Sequence, residues 1–316
     1  MALRAHLHRL LGAWLSAWAL ACIAAPALAL EPLVVVVSSE ASPAFEQAAE
    51  ALLAELARVG AAGAEVQRLN LEELQASSAA PRVFVALGSP AAAALARRDG
   101  RSLLLCALLP RSSFERIAQD SGRRVSNQFS ALFLDQPLGR QLDLLRLGLP
   151  DARRVGVLWG PESQLQAAAL GALAGARSLQ LVGATVGGAD GAFPGLKRVL
   201  EEADVLLALP DPLVFNSASI QNILLASYRA RVPLVGFSQA YVRAGALLAL
   251  FVTPEQVGQQ AALLVRSALQ GRSLPPEPVY SREFQVEVNQ PVARSLGLRL
   301  DARALGDKLR QLEKVQ

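Results

Sequence analysis

Apolar runs of about four to eight residues recur along the chain, separated by segments of helical character. They are "PLVVVVSS" from Pro32, "RVFVALGS" from Arg82, "SLLLCALLP" from Ser102, "RVGVLWGP" from Arg154, "DVLLALPD" from Asp204, "VPLVGFS" from Val232 and "ALLALFV" from Ala246. Their apolarity is continuous and does not alternate, which suits strands covered on both faces by helices. The pattern predicts an α/β fold built on parallel sheets.

Helix-start signals fall where that reading needs them. Ser42-Pro43 opens "AFEQAAEALLAELARVG", Ser89-Pro90 opens "AAAALARR", and Thr253-Pro254-Glu255-Gln256 opens "VGQQAALLVRSALQG" with the spacing of a capping box. Gly60 and Gly271 stand where C-terminal stops are expected. The strand-turn-helix units also echo one another at a nearly constant spacing. Val34 onward is answered from Val155, Val83 onward from Val205, and Leu103 onward from Pro233. This order predicts two Rossmann-like lobes, each a parallel sheet flanked by helices, although any doubly wound chain repeats strand and helix. The expected division is 30–133 with about 253–276 for the first lobe, and 134–252 with about 277–316 for the second. Between them lie a crossing strand at "LFLD", a helix from about Gln136 to Leu147, and a Pro-rich second connection, "LQGRSLPPEPVYSREFQVEVN".

The first residues change the picture of where the chain works. Arg4 and Arg9, a long apolar run and Ala27-Leu28-Ala29 have the order of a secretory signal over 1–29, cut after Ala29. Two other readings of this segment are an uncleaved anchor and a lipoprotein at Cys22, where Ala19 stands in place of the customary Leu. Cutting after Ala29 leaves a chain above the usual size of one domain. The formal net charge is +4, and two of the arginines belong to the leader. No basic stripe interleaved with aromatics appears, so nucleic acid is not an expected partner.

Two absences restrict the chemistry. Both histidines, His6 and His8, lie in the leader, which removes Ser-His-Asp and Cys-His catalysis and every His-based metal site from the mature chain. Cys106 is then the only cysteine left, inside the apolar "SLLLCALL", so the mature chain is expected to hold a buried, inert thiol and no internal disulfide. No dinucleotide fingerprint or phosphate-binding loop is present, and "GGADGAFPGLK" lacks the spacing of either. No cofactor and no metal are expected.

In open parallel sheets, ligands sit at the carboxyl ends of strands. The polar and aromatic groups at those positions are Ser38, Ser39, Ser89, Arg111 and Ser112 in the first half. In the second they are Trp159, Glu162, Ser163, Asp211, Asn216, Phe237, Ser238 and Tyr241. Such a set suits a small polar or zwitterionic molecule. Each also has a structural reading: Asp211 before Pro212 as a turn, Asn216 as a helix cap, Trp159 as a packing aromatic, Arg111 as a solvated charge, and Phe237 and Tyr241 as core.

The stretch "ALPDPLVFNSASIQNILLASYRARVPLVGFSQAYVRAGALLAL" resembles the substrate-binding proteins of ABC transporters, in the family with tryptophan- and tyrosine-binding members. Similar segments are "LGLPDARRVGVLWGPES", "GSPAAAAL" and "NQPVARSLGLRL", so the likeness spans roughly residues 82 to 300. It implies a type I periplasmic-binding-protein fold: two lobes, a hinge, and a ligand closed between them. Carried over by position, it implies Ser89 as a contact from the first lobe, and Asp211, Asn216 and Ser238 from the second. The chain departs from the family at "CALLPRSS", where Leu109 replaces an acid and Arg111 follows, and after the first helix, where a Gly-rich stretch is missing. Arg111 hints at an anionic ligand.

The resulting expectation is a periplasmic, monomeric solute-binding protein that closes on an amino-acid-like or small anionic molecule and delivers it to an ABC permease. A second destination for the same module is a membrane sensor, signalling through a kinase or cyclase. A competing class is a His-free secreted enzyme using Glu162 and Asp211 as paired carboxylates. A structural protein with an empty cleft is the remaining alternative.

Overall fold

The computed structural model describes residues 33–58, 65–98, 100–187 and 193–315. The leader with its cut after Ala29, His6, His8 and Cys22, and the helix stop at Gly60, lie outside the described residues. The first sheet is laid down by β1 (Val34–Ser38), β2 (Val66–Leu69), β3 (Val83–Leu87), β4 (Leu103–Leu109) and β5 (Phe129–Phe133). Helices α1 (Pro43–Arg58), α2 (Leu71–Ala76), α3 (Ser89–Ala96) and α4 (Arg111–Ser121) alternate with these strands. After α5 (Leu138–Gly148) the second sheet follows: β6 (Arg154–Trp159), β7 (Gln180–Thr185), β8 (Val205–Leu207), β9 (Leu234–Gly236) and β10 (Leu248–Phe251). Between them run a 3-10 turn (Ser163–Gln166) and helices α6 (Ala167–Gly175), α7 (Phe193–Glu202), α8 (Ile220–Ala230) and α9 (Gln239–Ala244). The chain closes with α10 (Pro254–Leu269), β11 (Val279–Tyr280), β12 (Gln285–Val288), α11 (Gln290–Ser295) and α12 (Ala302–Val315).

The two sheets have the same strand order, β2-β1-β3-β4-β5-β11 and β7-β6-β8-β9-β10-β12. Every pairing is parallel except β10 with β12. The pairs linked by the sequence echo, β1 with β6, β3 with β8 and β4 with β9, hold equivalent places in the two sheets. The internal likeness is therefore one of topology.

Continuous apolarity has its physical cause in these layers. Val34 and Val36 face one core while Val35 and Val37 face another, and Leu105 and Ala107 divide from Leu104 and Cys106 in the same way. In the second sheet, Val205 and Leu207 belong to one core and Leu206 and Ala208 to the other. Cys106 is fully buried, and burial pushes its thiol far above the usual range, as expected of an inert core cysteine. Thr253 and Gln256 form the expected capping box on α10. This helix returns to pack on α1, where a side chain at Gly258 would lie 2.1 Å from the Ala48 carbonyl oxygen. Only glycine permits that approach.

The edge strands β2 and β7 escape the apolar pattern. Gln67, Arg68, Gln180 and Thr185 are exposed, because an outer strand needs less cover than a central one. The expected boundary at about 277 also shifts. Val279 and Tyr280 extend the first sheet by pairing with Leu132 and Phe133, so the last crossing falls between Tyr280 and Gln285. Pro275, Pro276 and Pro278 give the stretch the look of a pure connection, yet the two residues after them are free to pair.

Candidate ligand-binding cleft

The loops that follow β4 and β6 touch. Ser112 Oγ, on the first lobe and buried, donates to Glu162 Oε2 of the second lobe at 2.7 Å, and Arg116 forms an ion pair with the other Glu162 oxygen. Because both loops leave the carboxyl ends of their strands, the carboxyl edges of the two sheets face each other. Ser112 and Arg116 are four residues apart, one helical turn, which places both on one side of α4. Glu162, proposed from sequence as a ligand contact, is thus engaged across the cleft by the opposite lobe.

On the first-lobe edge, Ser39 serves the scaffold. Its hydroxyl donates to the Leu87 carbonyl at 2.6 Å and accepts the Ala91 amide at 3.0 Å, tying β1 to β3 and to the start of α3. Ser38 and Ser89 are half-buried, and their hydroxyls have no hydrogen-bond partner among the described residues. Arg111 is neutralised within its own lobe by Glu115, 2.6 Å away, and donates a hydrogen bond to the Tyr280 hydroxyl at 3.3 Å. Asp135 accepts the Arg111 amide at 2.6 Å, and burial pushes its carboxyl up to about 6 against that hydrogen bond. Leu108 adopts a left-handed φ of 55°, rare for a bulky residue, where β4 shifts register between Ala107 and Leu109. The strand end next to the cleft is therefore bent.

On the second-lobe edge, the polar residues chosen from sequence are largely absorbed by the loop itself. Asp211 is 2% exposed and accepts from the amides of Glu162 at 3.1 Å, Ser163 at 2.8 Å and Leu213 at 3.1 Å, and from Ser163 Oγ at 2.9 Å. A side chain at Gly160 would lie 2.3 Å from this carboxylate, so glycine there lets the loop wrap it. Asn216 donates to the Pro212 carbonyl at 2.9 Å and accepts the amides of Ala218 and Ser219. Trp159 lies in the core over Gly183. The side chains of Asp211, Ser163, Asn216 and Trp159 thus use their hydrogen-bonding or apolar surface within the second lobe.

Aromatic surface remains. Phe237 and Tyr241 are half-buried with ring centroids 4.6 Å apart, and the buried Phe215 supports both at 6.2 Å. Burial pushes the Tyr241 phenol up to about 12, so it stays a neutral donor, and its hydroxyl has no partner among the described residues. Ser238, at the start of α9, makes no side-chain cap hydrogen bond. A hollow of about 1030 Å³ lies away from these edges, lined by residues of α1, α10 and β11.

With this geometry in place, comparison with known proteins becomes specific. The pattern of the family described as ABC transporter substrate binding protein matches residues 120–307. The chain belongs to this family. A curated relative, the tyrosine-binding protein of Clostridioides difficile strain R20291, is 22% identical over 181 residues, covering 56% of this chain and 51% of that one. The chain thus spans about half the length of that relative. Among solved structures, the ligand-free, open form of a substrate-binding protein with adhesive properties from Clostridium difficile is similar with a TM-score of 0.69 and 17% identity, covering 85% of this chain and 96% of that one. The ABC domain from Streptococcus pneumonia in complex with L-Trp is similar with a TM-score of 0.62 and 14% identity, over 87% and 97% of the two chains. The fold is that of type I periplasmic binding proteins, two six-stranded sheets flanked by helices.

This family consists of substrate-binding proteins, not enzymes, working outside the cytoplasm. Among the described residues, no helix is long and apolar enough to cross a membrane. Family membership also gives meaning to residues that sequence reasoning passed over. Buried Arg140 joins the crossings between the lobes, donating to Gln136 Oε1 at 2.7 Å and to the Ser281 carbonyl at 3.0 Å, and pairing with Glu313 of α12. Its guanidinium also lies 4.6 Å from the centroid of the Phe284 ring. Gln260 of α10 accepts from Ser281 Oγ and from the Arg282 amide. A charged residue on the buried side of α5 was the available signal for this junction. Arg116 had one too, in its spacing from Ser112.

Proposed function

We propose that this protein binds a small amino-acid-like molecule carrying a flat or apolar side chain, and delivers it to an ABC permease. The observation that carries the reading is the difference between the two strand-end edges: Ser38 and Ser89 on the first have hydroxyls without a partner among the described residues, while the second keeps Phe237 and Tyr241 half-exposed where they pack on its core. Aromatic faces hold a flat group, while hydroxyls and Ser238 hold its polar end. Arg111 and Arg116 are already paired with Glu115 and Glu162, which favours an uncharged or zwitterionic ligand over a small anion. Lobe closure is a population shift toward a state in which the ligand touches both edges. The Ser112–Glu162 contact belongs to that state and holds the lobes together alongside the ligand. In an enzyme of this fold, Glu162 and Asp211 would need open oxygens for acid and base, but both carboxylates are engaged within the protein.

The test is a thermal-shift screen of refolded, ligand-stripped protein against amino acids, nucleosides, organic acids and inorganic anions. At a hundred times its dissociation constant, a ligand stabilises the native state by about 2.7 kcal/mol, which raises the midpoint by several degrees. Aromatic or large apolar amino acids are expected to respond, with the response lost in Phe237→Ala. A response confined to anions overturns the proposed ligand class. A response to no compound directs the reading to the sensory or empty-cleft alternatives.

A further inference from the structure

The opposite edge of the first sheet, where its strands begin, carries a positive face whose outer arginines have no ion pair among the described residues. Arg82, Arg101 and Arg272 line one hollow of about 580 Å³ with Ser102, Asn127 and Gln128, and its lining contains no carboxylate among the described residues. All three arginines are exposed, and their guanidinium groups make no ion pair or hydrogen bond with any described residue. A second hollow of about 180 Å³ adjoins it through Arg101 and Ser102 and adds Arg98 and Arg123. These two are fixed in place. Arg98 donates to the Ser77 carbonyl at 2.7 Å, and Arg123 lies over the Phe129 ring at 5.3 Å. They contribute positive charge without being free to turn outward.

Arginine-rich composition alone does not explain this face, since the same edge of the second sheet is built differently. The hollow of about 490 Å³ there is lined by Asp151, Asp204 and Arg231 together with apolar residues. Asp204 is itself neutralised by Arg154 at 2.7 Å. Two lobes of one topology thus carry a cationic edge on one and a balanced edge on the other. The cationic edge is also where the described fold begins. Val34 donates its amide to the Glu65 carbonyl, Val83 to Leu33, Leu103 to Arg82 and Leu104 to Gln128, so Leu33 stands in the same row as the arginine-bearing residues, with Glu65 as the one acidic residue of that row among the described residues. The basic and apolar leader precedes Leu33 in the chain.

We infer that the amino edge of the first lobe, centred on Arg82, Arg101 and Arg272, is a docking surface for the anionic phospholipid headgroups of the membrane. Guanidinium forks match phosphate oxygens, and three of them on an exposed hollow meet a charged surface without first breaking internal ion pairs.

The experiment is co-sedimentation of the full chain with vesicles of phosphatidylcholine alone and of phosphatidylcholine mixed with phosphatidylglycerol. The leader carries Arg4 and Arg9 and favours the anionic vesicle equally in parent and variants, so the readout is the change in the ratio of the two partition coefficients between them. A basic side chain at an anionic surface contributes about fivefold, so the three arginines are expected to contribute on the order of a hundredfold to the ratio at low salt, falling steeply toward physiological salt. The triple variant Arg82→Gln, Arg101→Gln, Arg272→Gln should lower the ratio by about that factor with an unchanged thermal midpoint, and the triple Lys variant should keep it. A parent ratio near one, or a ratio that survives the triple Gln change, overturns the inference. Inorganic phosphate is the separate arm: if it raises the midpoint of the parent alone while the vesicle ratio is the same in parent and triple Gln variant, the hollow takes soluble phosphate and the membrane assignment fails.

Discussion

The two facing edges of the cleft are made from the same topological positions and are used in opposite ways. The first-lobe edge leaves Ser38 and Ser89 unspent while its charges, Arg111 and Asp135, are tied down locally. The second-lobe edge spends its polar groups on itself: Asp211 gathers four donors and Asn216 three local partners, which leaves Phe237 and Tyr241 as its open surface. The lesson is that a polar residue past a strand end has two employers, the loop and the ligand. Burial and partner count distinguish them.

The sharpest way to break this comparison is Asp211→Ala. Removing a buried acceptor from four donors should destabilise the fold by about 3 kcal/mol, measured by urea or thermal unfolding. If unfolding is unchanged while ligand affinity collapses, Asp211 belongs to the ligand after all. Phe237→Ala comes next, with an expected affinity loss of about 2 kcal/mol, roughly thirtyfold, by calorimetry. Tyr241→Phe separates the ring from its hydroxyl and should retain most of the stability.

Ser38→Ala and Ser89→Ala test the other side. Each should weaken binding by about 1 kcal/mol while moving stability by less than about 0.5 kcal/mol. A stability loss as large as that of a buried core change would assign these hydroxyls to the scaffold. Glu162→Gln and Arg116→Gln address the contact between the edges. The exposed side of this pair limits its value to about 1 kcal/mol or less, but the free protein should become measurably more open by small-angle scattering. An unchanged radius of gyration in both variants would mean that the contact does not hold the lobes.

The remaining test is a pH dependence. Asp135 holds its proton more tightly in the folded protein than its ordinary value of 3.8, with a folded value of about 6. Its contribution therefore favours the native state at low pH and is lost as pH rises from near 4 to above 6. Asp135→Asn should flatten that part of the stability profile while still capping α4 at its first amide. A profile identical to that of the parent would remove Asp135 from the account.

Much of the architecture was legible because it depends on residue pattern alone. "VVVV", "LLLCALL" and "VGVLW" must be covered on both faces whatever surrounds them, and the Thr253 to Gln256 box caps α10 by local hydrogen bonds. Edge strands β2 and β7 were not legible, since half-exposed strands carry Gln and Arg as loops do. The candidate site was read in position more than in role. Its residues lie at or just past the strand ends, yet sequence gives no means of telling Ser38, without a partner among the described residues, from Ser39, which bonds Leu87 and Ala91.

What the chain by itself determined is the class of fold, the duplication of its strand order and the lack of any histidine after His8 and of any cysteine but Cys106 after Cys22, because these follow from residue types and their periodicity. What only the tertiary structure decided is which polar groups are spent and which are free. Asp211 meets Ser163 and Glu162 across 48 and 49 residues of chain, Arg140 meets Ser281 across 141, and Glu162 meets Ser112 across 50. Such partners are set by how the two sheets and their crossings come together, and a hydrogen bond made over that separation leaves no trace in local sequence.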